Sequence, residues 1–107
     1  MSWLENEVKE FMERKGMSSI TATEYQIRAA ETAIFPKNDA LEYLTLGLTG
    51  EAGEIANKVK KLIRDGADKE NYYERLYEIE KELGDVLWYC AMLATEVDAN
   101  LGKIMEA

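Results

Sequence analysis

Two long stretches of the chain carry apolar residues at helical spacing, and a pair of acidic residues interrupts each stretch. In the first stretch the apolar positions are Leu41, Leu44, Leu48, Ile55, Val59 and Leu62. In the second they are Leu76, Ile79, Leu83, Val86, Leu87, Cys90, Leu93, Ala94 and Val97. Residues three, four or seven apart share one face of an α-helix. Because the sequence has no strand-like alternation and a single proline, it predicts an all-α fold.

The acidic pairs lie within these apolar series. Glu51 and Glu54 are three residues apart, as are Glu82 and Asp85, so each pair shares a helix face. Glu51 and Glu82 continue the apolar series and should point toward the core. Four carboxylates brought together by two packed helices repel one another unless a cation lies between them, and a hard divalent metal fits that role. The alternative is that all four are surface residues of a charged helical protein.

The rest of the chain predicts shorter helices around this pair. Ser2 caps a helix that ends at Gly16, and Thr21 with Glu24 forms a capping box for a second helix that Pro36 ends. The two long helices are expected over about 38–64 and 69–98, joined by a turn at residues 65–68, with a short helix from residue 100 or 101. The expected fold is one domain over residues 1–107. It is a bundle of four main helices in which the long pair is antiparallel, and residues 1–20 are an extra N-terminal helix and linker.

The apolar surface of the second long helix is too wide for a single stripe, since Trp88, Tyr89 and Met92 extend it. A chain of 107 residues has few helices to cover such a surface. We therefore expect a partner subunit, in a homodimer or in a tetramer made of two dimers.

Composition excludes several other functions. The net charge of −8 argues against a nucleic acid polymer as the partner. No segment has the length and apolar character of a membrane span. Cys90 is the one cysteine and is expected to be a buried structural thiol, which suits the cytoplasm. The sequence has no histidine, so imidazole catalysis and histidine zinc sites are excluded.

Two lysines follow the first acidic pair. Lys58 is four residues after Glu54, and Lys61 is three residues further on. They complement the negative end of the helix dipole, and either is also a candidate contact for a phosphate group.

Glycines surround both acidic pairs, although each glycine inside a helix costs about 1 kcal/mol relative to alanine. They are Gly47, Gly50, Gly53 and Gly84. Close packing of helices explains such glycines, and so does close approach of a bulky ligand.

Oxygen ligands without histidine favour Mg²⁺ or Mn²⁺ over zinc. These ions usually act on phosphate groups, so the residues predict a metal-dependent phosphohydrolase of unspecified substrate.

The motifs resemble a known family. Gly-Leu-Thr-Gly-Glu-Ala-Gly-Glu-Ile-Ala-Asn-Lys (47–58) and Glu-Leu-Gly-Asp-Val-Leu-Trp-Tyr (82–89) are similar to those of MazG-like all-α nucleoside triphosphate pyrophosphohydrolases. The upstream segment 24–36 is similar as well, and the resemblance covers roughly residues 21–106. It implies Mg²⁺-dependent hydrolysis of a (deoxy)nucleoside triphosphate to the monophosphate and pyrophosphate, as house-cleaning of the nucleotide pool.

The resemblance also implies roles for individual residues. The catalytic metal ligands of the family correspond to Glu51, Glu54, Glu82 and Asp85. Tyr89, one helical turn after Asp85, matches a phosphate-contacting tyrosine. Trp88 is either a base-stacking residue or part of the core. The competing class is a non-enzymatic helical dimer with a structural or regulatory metal site.

Overall fold

The structure is a computed structural model, and it describes residues 2–65 and 71–107. These residues form five α-helices and no strand, which confirms the predicted all-α class. The helices are α1 (Trp3–Lys15), α2 (Ala22–Glu31), α3 (Ala40–Asp65), α4 (Tyr72–Glu96) and α5 (Leu101–Glu106).

Local side-chain caps begin three of the helices. The Ser2 hydroxyl accepts a hydrogen bond from the Glu5 amide (3.2 Å), and the Thr21 hydroxyl accepts one from the Glu24 amide (3.1 Å). Asn100 caps α5 in the same way, through the amide of Lys103 (3.0 Å). These caps satisfy amides that have no partner within the helix. All three starts lie where the sequence predicts them.

Helix α2 ends at Glu31, well before Pro36, so the predicted end was wrong. The Thr32 hydroxyl donates to the Ala29 carbonyl (2.9 Å) and accepts the indole N–H of Trp88 (2.9 Å). A hydrogen bond from Trp88 of α4 therefore fixes the last turn of α2. The residues around Pro36 give no indication of this contact, so the sequence did not predict it. Ile34, between the end of the helix and Pro36, is 92% exposed.

The end of α4 also differs from the prediction, whereas its predicted start lies outside the described residues. The turn expected at residues 65–68 and the start expected at residue 69 lie largely outside the described residues; α4 begins at Tyr72. It ends at Glu96 and not at Asp98, because Asp98 has a φ of 60° and the Ala99 amide donates to the Ala94 carbonyl (2.7 Å).

The two long helices pack antiparallel, as predicted. Near the start of α3, Gly47 lies against the ring of Tyr89, and further along Lys58 pairs with Glu78 (3.7 Å). At the far end, Asp65 pairs with Arg75 (3.1 Å).

Helices α2 and α5 cover the C-terminal half of α4. The Gln26 amide joins them: it donates to the Thr95 hydroxyl (2.9 Å) and the Ala99 carbonyl (3.0 Å), and it accepts from the Leu101 amide (2.8 Å). The core lies at this end, around buried Ala29, Leu44, Ala91 and Met92. Cys90, expected to be buried, is half-buried.

Helix α1 packs against none of the other described helices. All of its residues are exposed, including its apolar ones. Among the described residues, no helix combines the length and the apolar character that crossing a bilayer requires.

Candidate metal site

Three carboxylates meet between α3 and α4. Glu51, Glu82 and Asp85 each offer an oxygen, and these oxygens lie within 4.8 Å of one another. Glu51 and Glu82 are half-buried, whereas Asp85 is exposed at the edge of the cluster. Glu51 and Glu82 lie in the faces of α3 and α4 that pack together.

One oxygen of the cluster lacks any partner. Oε2 of Glu82 is buried and makes no hydrogen bond with the described residues. Buried carboxylate oxygens are normally hydrogen-bonded, ion-paired or bound to metal, because an unpaired one loses its hydration without compensation. The oxygen is therefore available to a cation.

The crowding of carboxylates changes the proton affinity of Glu51. A hydrogen bond with Glu82 raises the pKa of Glu51 from its usual 4.5 to about 7, with further contributions from burial and from the negative charges of Glu82, Asp85 and Glu54. The carboxyl of Glu51 therefore takes up a proton more readily than a free glutamate does. A divalent ion binding there would replace that proton.

The fourth predicted ligand, Glu54, is exposed and lies outside the group of three. It is near enough for its charge to raise the pKa of Glu51. The structure thus brings three of the four predicted carboxylates together and leaves Glu54 at the margin.

Neither Lys58 nor Lys61 forms a salt bridge with Glu51, Glu82 or Asp85. Lys58 pairs with Glu78, a residue that the sequence analysis did not single out although it lies one turn before Glu82. Lys61 is exposed. Arg64 donates hydrogen bonds that lower the pKa of Asp65, and the charge of Lys61 adds to the effect.

Tyr89 lies beside the cluster. Burial raises the pKa of its phenol, and the charges of Tyr43, Glu51 and Asp85 raise it further. The sequence analysis missed Tyr43, whose ring stacks on Phe35 at a centroid distance of 6.1 Å. Tyr43 lies one helical turn before Gly47, and this position on the same face of α3 could have indicated that it lies near Tyr89.

The glycines differ in their surroundings. A β-carbon at Gly47 would overlap the ring of Tyr89, so close packing explains this residue. A β-carbon at Gly50, Gly53 or Gly84 would point into open space. Packing against the described residues does not explain these three glycines.

Trp88 takes part in the core. Its indole N–H donates to Thr32, its ring meets Tyr89 edge to face (5.0 Å, 88°), and it packs against the buried cluster. These contacts fit the core-packing interpretation.

Comparison with known proteins agrees with this geometry. The family described as "MazG nucleotide pyrophosphohydrolase domain" matches residues 40–106. This range contains α3, α4 and α5 and the four predicted metal ligands, Glu51, Glu54, Glu82 and Asp85. The chain belongs to the MazG nucleotide pyrophosphohydrolase family. It is also 47% identical over 88 residues to the Gene 37 protein of Mycobacterium phage L5, a match covering 77% of this chain and 76% of that protein. No solved structure matches it significantly.

MazG proteins are metal-dependent, and the residues of this MazG domain fit a metal. The candidate ligands are carboxylate oxygens; one of them is buried without a partner among the described residues, and the neighbours of Glu51 raise the pKa of its carboxyl. Hard cations such as Mg²⁺ and Mn²⁺ prefer such ligands.

Proposed function

We propose that this MazG domain hydrolyses (deoxy)nucleoside triphosphates to the monophosphate and pyrophosphate, with Mg²⁺ held by Glu51, Glu82 and Asp85 together with Glu54. The observation that carries the proposal is the unpartnered Oε2 of Glu82 within three converging carboxylates. Membership of the family supports nucleotide pyrophosphohydrolysis as the reaction.

In the proposed reaction a water molecule attacks phosphorus, the bond that releases pyrophosphate breaks, and the water's proton passes to a base. Bound Mg²⁺ would neutralise phosphate charge and polarise the phosphorus–oxygen bond. Glu51 and Glu82 hold their carboxylates between the helices. Glu54, outside the group of three, has a carboxylate available either as a further ligand or as the acceptor of the water's proton.

Other residues would hold the triphosphate. Tyr89 is near enough to Glu51 and Asp85 for their charges to raise the pKa of its phenol, and its hydroxyl can donate to a phosphate oxygen. Lys61 is the more exposed of the two lysines, since Lys58 is already paired with Glu78. We assign Tyr89 to the phosphates and Lys61 to their outer edge.

We assign the nucleoside to a cavity of about 260 Å³. Its lining includes Phe35, Lys37, Met92 and Glu96. Met92 follows Asp85 by seven residues on α4, a rise of about 10 Å along the helix. The cavity offers an apolar wall, one cation and one carboxylate, which suits a base with polar edges. Trp88 lies between Asp85 and this cavity along α4, so a base-stacking role at its margin remains part of the proposal.

The assembly we propose is a homodimer, alone or paired into a tetramer. Apolar side chains that stay exposed on α3 and α4 support it: Leu41, Val59, Ile63, Leu76, Leu83 and Leu87. The setting we propose for the reaction is the cytoplasmic nucleotide pool.

Pyrophosphate release from a panel of nucleoside triphosphates, with Mg²⁺ and with EDTA, tests the function. We expect release that requires Mg²⁺ and a clear preference among bases. Stabilisation by Mg²⁺ without hydrolysis of any nucleotide would instead favour the non-enzymatic metal site.

A further inference from the structure

Helix α1 has an apolar face that none of the other described helices covers. Trp3 is 75% exposed and Leu4 is 62% exposed, and Val8, Phe11 and Met12 follow on or beside the same face. The helix makes no packing contact with α2–α5. An isolated helix of 13 residues is marginally stable in water, so α1 needs a packing partner.

The linker directs α1 away from the bundle. Gly16 ends the helix with a φ of 92°, and the following residues up to Thr21 belong to no helix. The radius of gyration is 16.6 Å, against about 13 Å for a compact domain of this length. The chain thus has the shape of a bundle with a projecting arm.

The bundle presents an apolar surface of matching length. Leu76, Leu83 and Leu87 form an exposed stripe on α4. Leu87 also lines an apolar groove whose other walls include Tyr25, Leu101 and Met105. From Leu76 to Leu87 the stripe rises about 16 Å, and α1 is about 20 Å long. A helix laid along the stripe would therefore reach the groove.

The charge of the arm argues against a membrane as its partner. Residues 3–15 contain four glutamates and three basic residues, so the arm has no cationic face for anionic lipids. We propose that α1 is an exchanged arm, which packs its apolar face on the Leu76–Leu83–Leu87 stripe and the adjoining groove of a second copy of this chain.

The area suffices for a stable dimer. Five side chains of this size, two of them aromatic, expose on the order of 500 Å² of surface. In a two-fold dimer both arms and both receiving surfaces are buried, giving a total on the order of 2,000 Å², within the range of stable interfaces. This inference rests on a dimer, which the proposed function also includes, but it does not depend on nucleotide hydrolysis.

Two full-length variants test the exchange. Val8→Glu adds a negative charge to the apolar face of α1, and Asn6→Glu adds the same charge to the opposite face, two residues away. We expect Val8→Glu to weaken self-association about 100-fold or more, because each dimer has two arms and each loses a buried apolar side chain to a charge. Asn6→Glu should self-associate like the wild type. Light scattering over a concentration series measures both.

A cross-linking experiment separates exchange from an arm folded onto its own bundle. Two versions of the full-length chain carry tags of different length, so that they can be told apart by size. Both carry Cys90→Ser; one also carries Phe11→Cys and the other Met105→Cys, and the two are mixed. A disulfide between the two tagged chains supports the exchange.

Each contrary result overturns the inference. These results are a monomeric wild type, unchanged association of Val8→Glu, or the absence of a disulfide between the two tagged chains. If Val8→Glu associates normally while hydrolysis persists, the arm is refuted and the proposed function stands. If neither the wild type nor any variant hydrolyses nucleotides but Val8→Glu dissociates, the proposed function is refuted and the exchanged arm stands.

Discussion

The two ends of the α3–α4 pair show opposite uses of the same helical packing. At the start of α3 and the end of α4, Leu44 and Ala91 are completely buried, and α2 covers them. In the middle of the pair, Glu51 and Glu82 occupy equivalent inward positions with carboxylates instead of apolar groups. The first region stabilises the fold by burial, while the second keeps mutually repelling charges together. Such a destabilising arrangement is typical of a functional site.

The largest expected effect is on catalysis, at the acidic end of this comparison. Glu82→Gln keeps the shape of the side chain but removes a charge and a ligand oxygen. We expect pyrophosphate release to fall by about 100-fold or more. The metal-free protein should be as stable as the wild type or more stable, because repulsion is relieved. Glu80→Gln, at an exposed position of the same helix, is the control. Full activity in Glu82→Gln would remove Glu82 from the metal site.

The next effect is on stability, at the apolar end. Leu44→Ala leaves a cavity at the one large side chain that is fully buried among the described residues, and should lower the free energy of unfolding by about 3 kcal/mol. Leu46→Ala removes the same atoms from an exposed position two residues away and should change it by less than about 0.5 kcal/mol. Denaturant unfolding of both variants measures the difference. Equal losses would show that Leu46 is covered in the assembled protein.

Two glycines on α3 allow a tightly packed position to be compared with one that faces open space. Gly47→Ala would push a methyl group into the Tyr89 ring and should destabilise the protein by about 1–3 kcal/mol. Gly50→Ala places its methyl group in open space and should stabilise the helix by up to about 1 kcal/mol. Thermal melting of the metal-free variants tests the opposite signs. If Gly50→Ala stabilises the fold but raises KM for the nucleotide, the open space belongs to the substrate.

The smallest effect is the pH dependence of the metal-free protein. The pKa of Glu51 is about 7 in the folded chain and 4.5 is its ordinary value, so the folded state holds the extra proton between these values. The stability that this proton provides is complete below about pH 4.5 and is lost as the pH rises through about 7. Melting temperatures should therefore fall across this interval more steeply in the wild type than in Glu82→Gln. Equal slopes would show that Glu51 and Glu82 do not share a proton.

The sequence alone determined the elements whose causes are local. Ser2, Thr21 and Asn100 begin helices by bonding to amides three residues away, so a short stretch of sequence contains the whole cause. The apolar spacing likewise placed Glu51 and Glu82 on inward faces before any packing was known. Helical periodicity is a property of the chain itself, and that is why these predictions held.

Only the tertiary structure decided the rest. The end of α2 depends on the indole of Trp88, 56 residues away from Thr32. The way α3 and α4 approach each other decides that the Tyr89 ring lies against Gly47 and that Glu54 lies outside the group of three carboxylates. Sequence spacing gives the direction of a side chain around its own helix. It does not give the distance and rotation between two helices, and these set which oxygens come within reach of one ion.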